Sequence, residues 1–556
     1  CSSATIANPR ELAEGLTGRR FELVDRSGAP RGEKFFLFVN PPVVNRELGI
    51  RRSYISEARR VASEFLKRHL QVIVFCPSRL STEILTTYLK EDFDDSPGGG
   101  DLVRGYRGGY LPKRRREIER GLREGTVRAV VSTNALELGI DIGALDVAVM
   151  ASYPGTIAAT WQRAGRAGRR SGRSAALMVA SSAPIDQFVV RHPSYFFDAS
   201  PEHALINPDN LHILLDHIKC AAFELPFTAG ERFGREDVQE ILAVLAEEGF
   251  VHRSEGPDGD QWNWTSESYP ADAVSLRSIS SDNFVVVDIT SGSNVIGETD
   301  FTSGPSTLHE KAIYIVEGKL FQVERLDFEG RKAYVRAVDC DYYTDAITYT
   351  RVTILDLFES DTDSCGIARR SHGEVHVVSR VVGFKKIKFH TNENVGSGEL
   401  DLPEQQMHTT AYWLTIPRDI MATLPAGTDD RRDGVIGVSF AMREVAQLLL
   451  MCDRQDVGLS IGAGDEQDAA AGQDNPAVFD EPRVFIYDNY PGGIGFSEPL
   501  FGMHDQLLAD TRALIASCAC EHGCPTCVGP VGESGPLAKQ VALMILDRLL
   551  AHPLPA

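Results

Sequence analysis

Between residues 20 and 200 the chain alternates short apolar runs with amphipathic stretches of helix length. The runs are Lys34–Asn40, Gln71–Cys76, Val127–Ser132, Asp146–Ala151 and Ala175–Ala180, rich in Val and Phe. Glu57–His69, Ser81–Lys90 and Lys113–Glu124 read as helices between them. Repeated β–α alternation of this kind predicts a parallel sheet covered by helices on both faces. Such a sheet takes its ligands at the carboxyl ends of its strands. The residues that leave these runs are therefore the first place to look for chemistry.

The pattern changes after residue 200. Asn210–Phe223 and Arg235–Gly249 carry apolar residues at helical spacing, and a hairpin follows, Gly249–Arg253 and Gln261–Thr265 around a PDGD turn. Helix, helix, hairpin is the order of a winged helix; an unrelated small helical domain is the plainer alternative. Residues 275–400 consist of short alternating strands: Phe284–Ile289, Ala312–Val316, Lys319–Leu326, Lys332–Val338, Ala346–Ile354 and Glu374–His390. Their close turn signals suggest a small barrel or sandwich. Gly437–Cys452 is an apolar helix, Gly462–Gln473 reads as a loop, and Arg483–Tyr487 is a strand. Residues 503–517 and 536–551 read as helices around a cysteine cluster.

At about 100–200 residues per domain, 556 residues make about three to five domains. The expected division is 1–200, 201–270 and 271–556. The net charge of -21 argues against a polyanion partner when taken alone. The distribution reverses that inference locally, because residues 101–175 hold 14 Lys and Arg against 7 Asp and Glu. No apolar run reaches the roughly 18–20 residues that span a bilayer, and CSSATIANPR is not a signal peptide. A cytoplasmic protein without a membrane partner is expected. The chain has no initiator Met, so it is expected to begin inside a longer polypeptide.

Three segments carry candidate ligand groups. In Gln162–Arg169, QRAGRAGR, a helical conformation sets Gln162, Arg166 and Arg169 on one face. Arginine forks bond two phosphate oxygens at once and stabilise charge in phosphoryl transfer; the alternative is a solvated basic helix. In Ser132–Ile142, STNALELGIDI, the strand end is left by Ser132, Thr133 and Asn134, which suit phosphate contact, and the segment then supplies Gly139 and Asp141, a turn carboxylate able to accept from a ribose hydroxyl. In Arg104–Arg116, RGYRGGYLPKRRR, Arg107 and Gly108 are the favoured backbone contacts, while Lys113–Arg116 also reads as a solvated helix start. Trp262, Trp264 and Trp413 are candidates for base stacking, with a core role the better reading of each.

Six of the ten cysteines, Cys1, Cys76, Cys220, Cys340, Cys365 and Cys452, are scattered and read mostly as buried small hydrophobes. The other four, Cys518, Cys520, Cys524 and Cys527, follow C-x-C-x₃-C-x₂-C spacing. Four thiolates close a tetrahedron around Zn²⁺ at ~2.3 Å and leave no open position, so the site is structural. An iron–sulfur cluster is the alternative. His522 is expected outside the ligand set.

QRAGRAGR resembles motif VI of superfamily 2 helicases, STNALELGIDI motif V, VIVFCPSR at Val72–Arg79 motif IV, and SSAT at Ser2–Thr5 motif III. YDNYPGGIGFSE at Tyr487–Glu498, followed by CACEHGCPTC, resembles the carboxy-terminal domain of MrfA-type DNA repair helicases, the group that includes SftH of mycobacteria. The resemblance implies a multidomain α/β protein: a second RecA-like domain, a winged helix, and a mixed β-rich and helical zinc-binding domain. It implies that Arg166 and Arg169 reach ATP phosphates, that Gly139 and Asp141 lie near nucleotide, and that Arg79, Arg107 and Thr133 lie on the nucleic-acid backbone. It also implies 3′-to-5′ movement on single-stranded DNA, unwinding of tailed duplex DNA, and a repair role.

No G-x-x-x-x-G-K-[ST] segment occurs in the 556 residues. ATP and Mg²⁺ are therefore expected only with a first RecA-like domain that precedes Ser2. The chain alone is expected to bind ATP weakly and hydrolyse none. Two other readings stand beside this one. One is an RNA helicase, which the motor motifs do not separate from a DNA helicase. The other is a non-catalytic nucleic-acid-binding protein that keeps half a motor. A metal-dependent nuclease lacks a clustered carboxylate–histidine site.

Overall fold

The computed structural model describes residues 1–26, 28, 32–46, 48–93, 99–143, 145–168, 172–204, 210–233, 236–256, 259–274, 283–362, 367–462, 476–530 and 535–550. Arg169, Cys365 and most of the expected 462–473 loop lie outside them.

Six strands form the first sheet: β1 (Lys34–Val39), β2 (Val72–Phe75), β3 (Val103–Tyr106), β4 (Ala129–Ser132), β5 (Val147–Ala151) and β6 (Ser174–Val179). Their order is β1-β6-β5-β2-β4-β3, and every neighbouring pair is parallel. Alternate residues of a strand face opposite sides. Val72, Val74, Val131 and Val149 accordingly pack on helices α1 (Tyr54–Leu66) and α2 (Arg79–Glu91). Ile73, Phe75, Val130 and Met150 pack the other way, on α3 (Pro112–Glu124) and α4 (Ile157–Ala164). Helix α3 starts with Pro112 and stops at Gly125, whose φ of 77° a side chain would strain. Strand β3 was not expected, because it lies inside the basic VRGYRGG segment. Gly105 allows it: a Cβ there would stand 2.6 Å from the Tyr110 hydroxyl.

The winged helix follows, with α5 (Leu211–Glu224), α6 (Gln239–Glu247) and three strands, β7 (Phe227–Thr228), β8 (Val251–Gly256) and β9 (Gly259–Trp264), in the order β8-β9-β7. Leu214, Ile218, Leu242, Val251 and Trp262 make its core. Trp262 is thus a packing residue, as is Trp413 farther along; Trp264 is half-buried.

The strands after residue 280 divide between two sheets and do not close one barrel. The first contains β10 (Asn283–Asp288), β11 (Asn294–Asp300), β12 (Ile313–Val316), β13 (Lys319–Asp327) and β14 (Lys332–Ala337), in the order β11-β10-β14-β13-β12. The second is built on a long hairpin, β15 (Tyr342–Thr362) with β16 (Arg369–Lys388). It is extended by β17 (Asn394–Glu399), β18 (Gln405–Thr415), β19 (Val457–Gly462) and β20 (Arg483–Asp488). Strand β16 bonds β15 on one side and β17 and β18 on the other, which draws the last strands out of any closed cylinder.

Helix α7 (Thr428–Leu450) backs this sheet together with α8 (His504–Ser517) and α9 (Ala538–Leu549). It begins nine residues before the expected Gly437. Gly434 and Gly437 lie inside it because α9 and its approach pass so close. A Cβ on Gly434 would stand 2.5 Å from Val541, and one on Gly437 3.1 Å from Val528. Among the described scattered cysteines only Cys76 and Cys452 are buried; Cys220 and Cys340 are half-buried and Cys1 is exposed. No helix among the described residues is long and apolar enough to cross a membrane.

Candidate nucleotide and nucleic-acid interface

The carboxyl ends of β2, β4 and β5 open into a cleft of about 500 Å³. Arg79, Gly108 and Thr133 all line it. Each stands where a strand gives way to the next segment. Ser78 caps α2 by accepting from the Ser81 N–H at 3.1 Å, so Arg79 is the first residue of that helix. The Thr133 hydroxyl accepts from the Ala135 N–H at 3.4 Å and starts a single 3₁₀ turn, Asn134–Leu136. Arg79 pairs with Asp300 of β11 at 2.6 Å. Burial disfavours the Asp300 charge, but Arg79 and the groups of Ser303 outweigh it and hold the carboxyl at about 2.

Arg107 does not reach this cleft. Its guanidinium is buried, donates from Nε to Glu83 at 2.7 Å and from Nη2 to the Ile315 carbonyl at 3.0 Å, and lies over the rings of Tyr110 and Tyr314. Glu83 also accepts from the Tyr110 hydroxyl at 2.7 Å and the Glu317 N–H at 2.8 Å. Burial pushes the Glu83 carboxyl up, against Arg107 and these donors. Glu317 in turn accepts from Arg104 at 2.7 Å and Arg114 at 2.8 Å. Three arginines of the basic segment are therefore engaged in a joint between the parallel sheet and the five-stranded sheet. Each has a partner more than 200 residues away, Glu317 for Arg104 and Arg114 and Ile315 for Arg107, a distance that local reading does not bridge.

Breaking this joint at Glu317 should be costly. Glu317→Ala leaves buried guanidinium charge uncompensated, and a loss of about 3–5 kcal/mol is expected in urea unfolding. Burial would raise the Glu317 carboxyl, but Arg104 and Arg114 hold it below its ordinary value. Its contribution is complete above the unfolded-chain value of about 4.3 and is lost as pH falls through the depressed folded value. An acid titration of stability should thus lose part of its slope in the Glu317→Ala variant.

The second group of expected residues lies beside the cleft. Helix α4 carries Gln162, half-buried, but ends at Ala164, so the expected single helical face through Arg169 does not form. Gly168 takes the chain out of the turn that follows. Its φ is 76°, and a Cβ would overlap the Ser174 hydroxyl, where the chain turns into β6. Arg166 sits in this turn, buried beneath the Gly139–Asp141 loop. It donates to the Glu137 carbonyl at 2.7 and 2.8 Å and to the Ile140 carbonyl at 2.7 Å. Gly139 and Asp141 are exposed, and the Asp141 carboxylate accepts from the Gly143 N–H at 3.0 Å. Arg163 was not singled out from the sequence, although it belongs to the same motif. It donates to the Glu137 carboxylate at 2.7 Å, lies over the Phe75 ring and lines the cleft. Glu137 thus holds one arginine from each side.

The four cysteine sulfurs lie within 4.8 Å of one another. Cys518–Cys524 and Cys520–Cys527 are 3.5 Å apart and Cys524–Cys527 3.8 Å. A tetrahedral Zn²⁺ with bonds of ~2.3 Å needs sulfurs about 3.8 Å apart, so the donor set fits that ion. Lys539 Nζ donates to the carbonyls of Cys518 and Cys520 at 2.7 and 2.5 Å, placing positive charge beside the thiolates. His522 is exposed. The knuckle touches the parallel-sheet lobe: Thr526 donates to the Ser182 carbonyl at 2.9 Å, and Gly49 leaves only 2.7 Å between a built Cβ and Cys524.

A parallel sheet of this order with these motifs defines a RecA-like helicase lobe, here joined to a winged helix and a four-cysteine unit. Residues 57–171 match the helicase conserved C-terminal domain, 206–279 the winged helix domain of ATP-dependent helicase HRQ1, and 438–528 the MrfA Zn-binding domain. The chain is 48% identical to the ATP-dependent helicase YprA of Bacillus subtilis over 99% of its own length and 71% of that protein's. It is 29% identical to ATP-dependent helicase HRQ1 of Saccharomyces cerevisiae, spanning 99% of this chain and 52% of the yeast one. A crystal structure of the DUF1998 helicase MrfA bound to DNA aligns with a TM-score of 0.73 and 47% identity, covering 99% of this chain and 71% of that one. The chain belongs to the MrfA-type family of helicases.

Proposed function

We propose that this chain is the strand-gripping and nucleotide-sensing part of an ATP-dependent DNA helicase that moves 3′ to 5′ and serves DNA repair. One observation carries the reading. Arg79, Gly108, Thr133 and Arg163 line a single cleft, Arg166 lies under the Gly139–Asp141 loop, and Glu137 joins the two by accepting from Arg163 through its carboxylate and from Arg166 through its carbonyl. In this reading Arg79, Gly108 and Thr133 hold the phosphates of single-stranded DNA. Arg166, whose guanidinium here rests on the Glu137 and Ile140 carbonyls, and Arg169 are the proposed contacts to the ATP phosphates, with Gln162, Gly139 and Asp141 beside the nucleotide. Arg107 acts behind the cleft as a positioning residue, fixing Gly108. That the relative MrfA was crystallised bound to DNA supports a nucleic-acid partner for this chain.

The phosphate-cradling loop and the Mg²⁺ site belong to a first RecA-like domain outside these residues, so the 556 residues alone turn over no ATP. Zinc is structural, the working divisions are 1–200, 201–270 and 271–556, and the site of action is the cytoplasm. Unwinding by the helicase carrying both lobes tests the reading. Duplexes with a 3′ single-stranded tail should open and those with a 5′ tail should not. Equal opening of matched RNA would favour an RNA helicase, and steady ATP turnover by these residues alone would contradict the division of labour.

Arg79→Ala separates phosphate gripping from sequence reading. Its loss should weaken binding to every single-stranded sequence alike and reduce the slope of log K against log salt by about 0.7. Salt titrations monitored by fluorescence anisotropy measure both.

A further inference from the structure

The cleft has two chemically different walls. The parallel-sheet side offers the Arg79 guanidinium as a donor, and the Asp186 carboxylate on that side is already engaged by Ser152, Tyr153 and Ser181. Phosphate oxygens only accept, so they suit this side. The facing wall comes from the C-terminal unit, through Gln447 near the end of α7 and Asp453, Arg454 and Gln455 just beyond it. It is fastened to the lobe. Gln455 Nε2 donates to the Pro77 carbonyl at 3.1 Å, and Gly155 approaches Asp453 so closely that a Cβ would stand 3.0 Å from its Cα.

Gln447 is 1% exposed. Its Nε2 donates to the Arg443 carbonyl at 3.2 Å, which fixes the amide orientation. Its Oε1 is left buried without a hydrogen-bond partner among the described residues. Folded proteins rarely leave such an acceptor unpaired without a reason. The Asp453 carboxylate, which lines the same cleft and accepts from the Gln455 N–H at 3.1 Å through one oxygen, is a second acceptor. A phosphate has no proton to give either group. Bases do: cytosine, adenine and guanine carry exocyclic amino donors, whereas thymine and uracil carry a carbonyl at position 4 and keep only the ring N3–H as a donor.

We propose that Gln447 and Asp453 form a base-facing wall that accepts hydrogen bonds from exocyclic amino groups of the bound strand. The inference rests on reading the cleft as the single-strand site. It adds a sequence preference to a grip that phosphate contacts alone would leave indifferent.

Oligo-deoxycytidine and oligo-deoxyuridine of equal length differ in this respect at position 4 of the ring, which makes them the probe. With the helicase carrying both lobes, anisotropy titrations should give deoxycytidine roughly a 3- to 10-fold advantage. Gln447→Met should bring deoxycytidine to the deoxyuridine level and leave deoxyuridine unchanged. Asp453→Ser, half-buried just beyond α7, should reduce the same advantage and provides the test if Gln447→Met does not fold. Equal wild-type affinities would overturn the proposal. So would an advantage that survives both variants, or variants that weaken both oligonucleotides equally. A preference for oligo-ribouridine over oligo-deoxyuridine that Gln447→Met abolishes would assign the acceptors to the 2′-hydroxyl and also overturn it. Failure of the wild type to bind either oligonucleotide would instead overturn the cleft reading itself.

Discussion

Arg166→Ala is expected to lower DNA-stimulated ATP turnover of the helicase carrying both lobes by about 10³-fold or more, the range of a lost arginine finger. Affinity for single-stranded DNA should stay within about two-fold, since Arg166 lies under the Gly139–Asp141 loop and outside the cleft lining. Arg79→Ala should show the reverse: weakened DNA binding, with turnover restored at saturating DNA. Arg166→Lys distinguishes charge from shape. Lysine keeps the cation but lacks the fork that spans the Glu137 and Ile140 carbonyls, so it should recover little activity. A thermal melt of each variant reports whether the loop has merely loosened. Turnover above a tenth of wild type in a folded Arg166→Ala protein would remove this arginine from the chemistry.

Stripping the metal is expected to disrupt the C-terminal unit. Cys524 and Cys527 are buried in one apolar cluster with Val438, Ala441, Ile515 and Ile545, so the ion would sit against the core. Structural zinc contributes on the order of 10–16 kcal/mol of apparent binding energy at neutral pH. Loss of even a few kcal/mol lowers a melting temperature by roughly 10 °C in a unit of this size. A chelator should therefore release about one zinc per chain and shift melting by at least that much, and Cys527→Ser should reproduce the shift. Because Thr526 and Cys524 touch the parallel-sheet lobe, protease cleavage near Gly49 and Ser182 should accelerate in parallel. Metal analysis beside calorimetry checks the first expectation; a metal-free protein that melts unchanged would contradict it.

The strands of the parallel sheet were legible wherever they run as nearly unbroken apolar residues, including the half-exposed edge strand β1. Strand β3, buried throughout, escaped notice because its four residues include Arg104 and Gly105, which serve a neighbouring sheet and the Tyr110 hydroxyl. The same physics misled the reading of Arg107. A guanidinium in a Gly-rich basic segment looks solvent-facing until Glu83 and Ile315 are brought beside it by tertiary structure. Short-range chemistry was more transparent. The cysteine knuckle is confined to ten residues, and its sulfurs meet because the spacing leaves them little else to do. The wall made by Gln447 and Asp453 carried no local signal, since an amide near the end of an apolar helix looks like any half-buried polar residue.

The union of Arg104, Arg107 and Arg114 with Glu83 and Glu317 has a mechanical corollary. A swing of the parallel-sheet lobe would carry the 283–337 sheet with it as ballast, without hinging between them. Whatever strand that ballast overhangs would be dragged in the same stroke, so force generated at the nucleotide would be delivered at a lever arm well beyond the lobe that feels it.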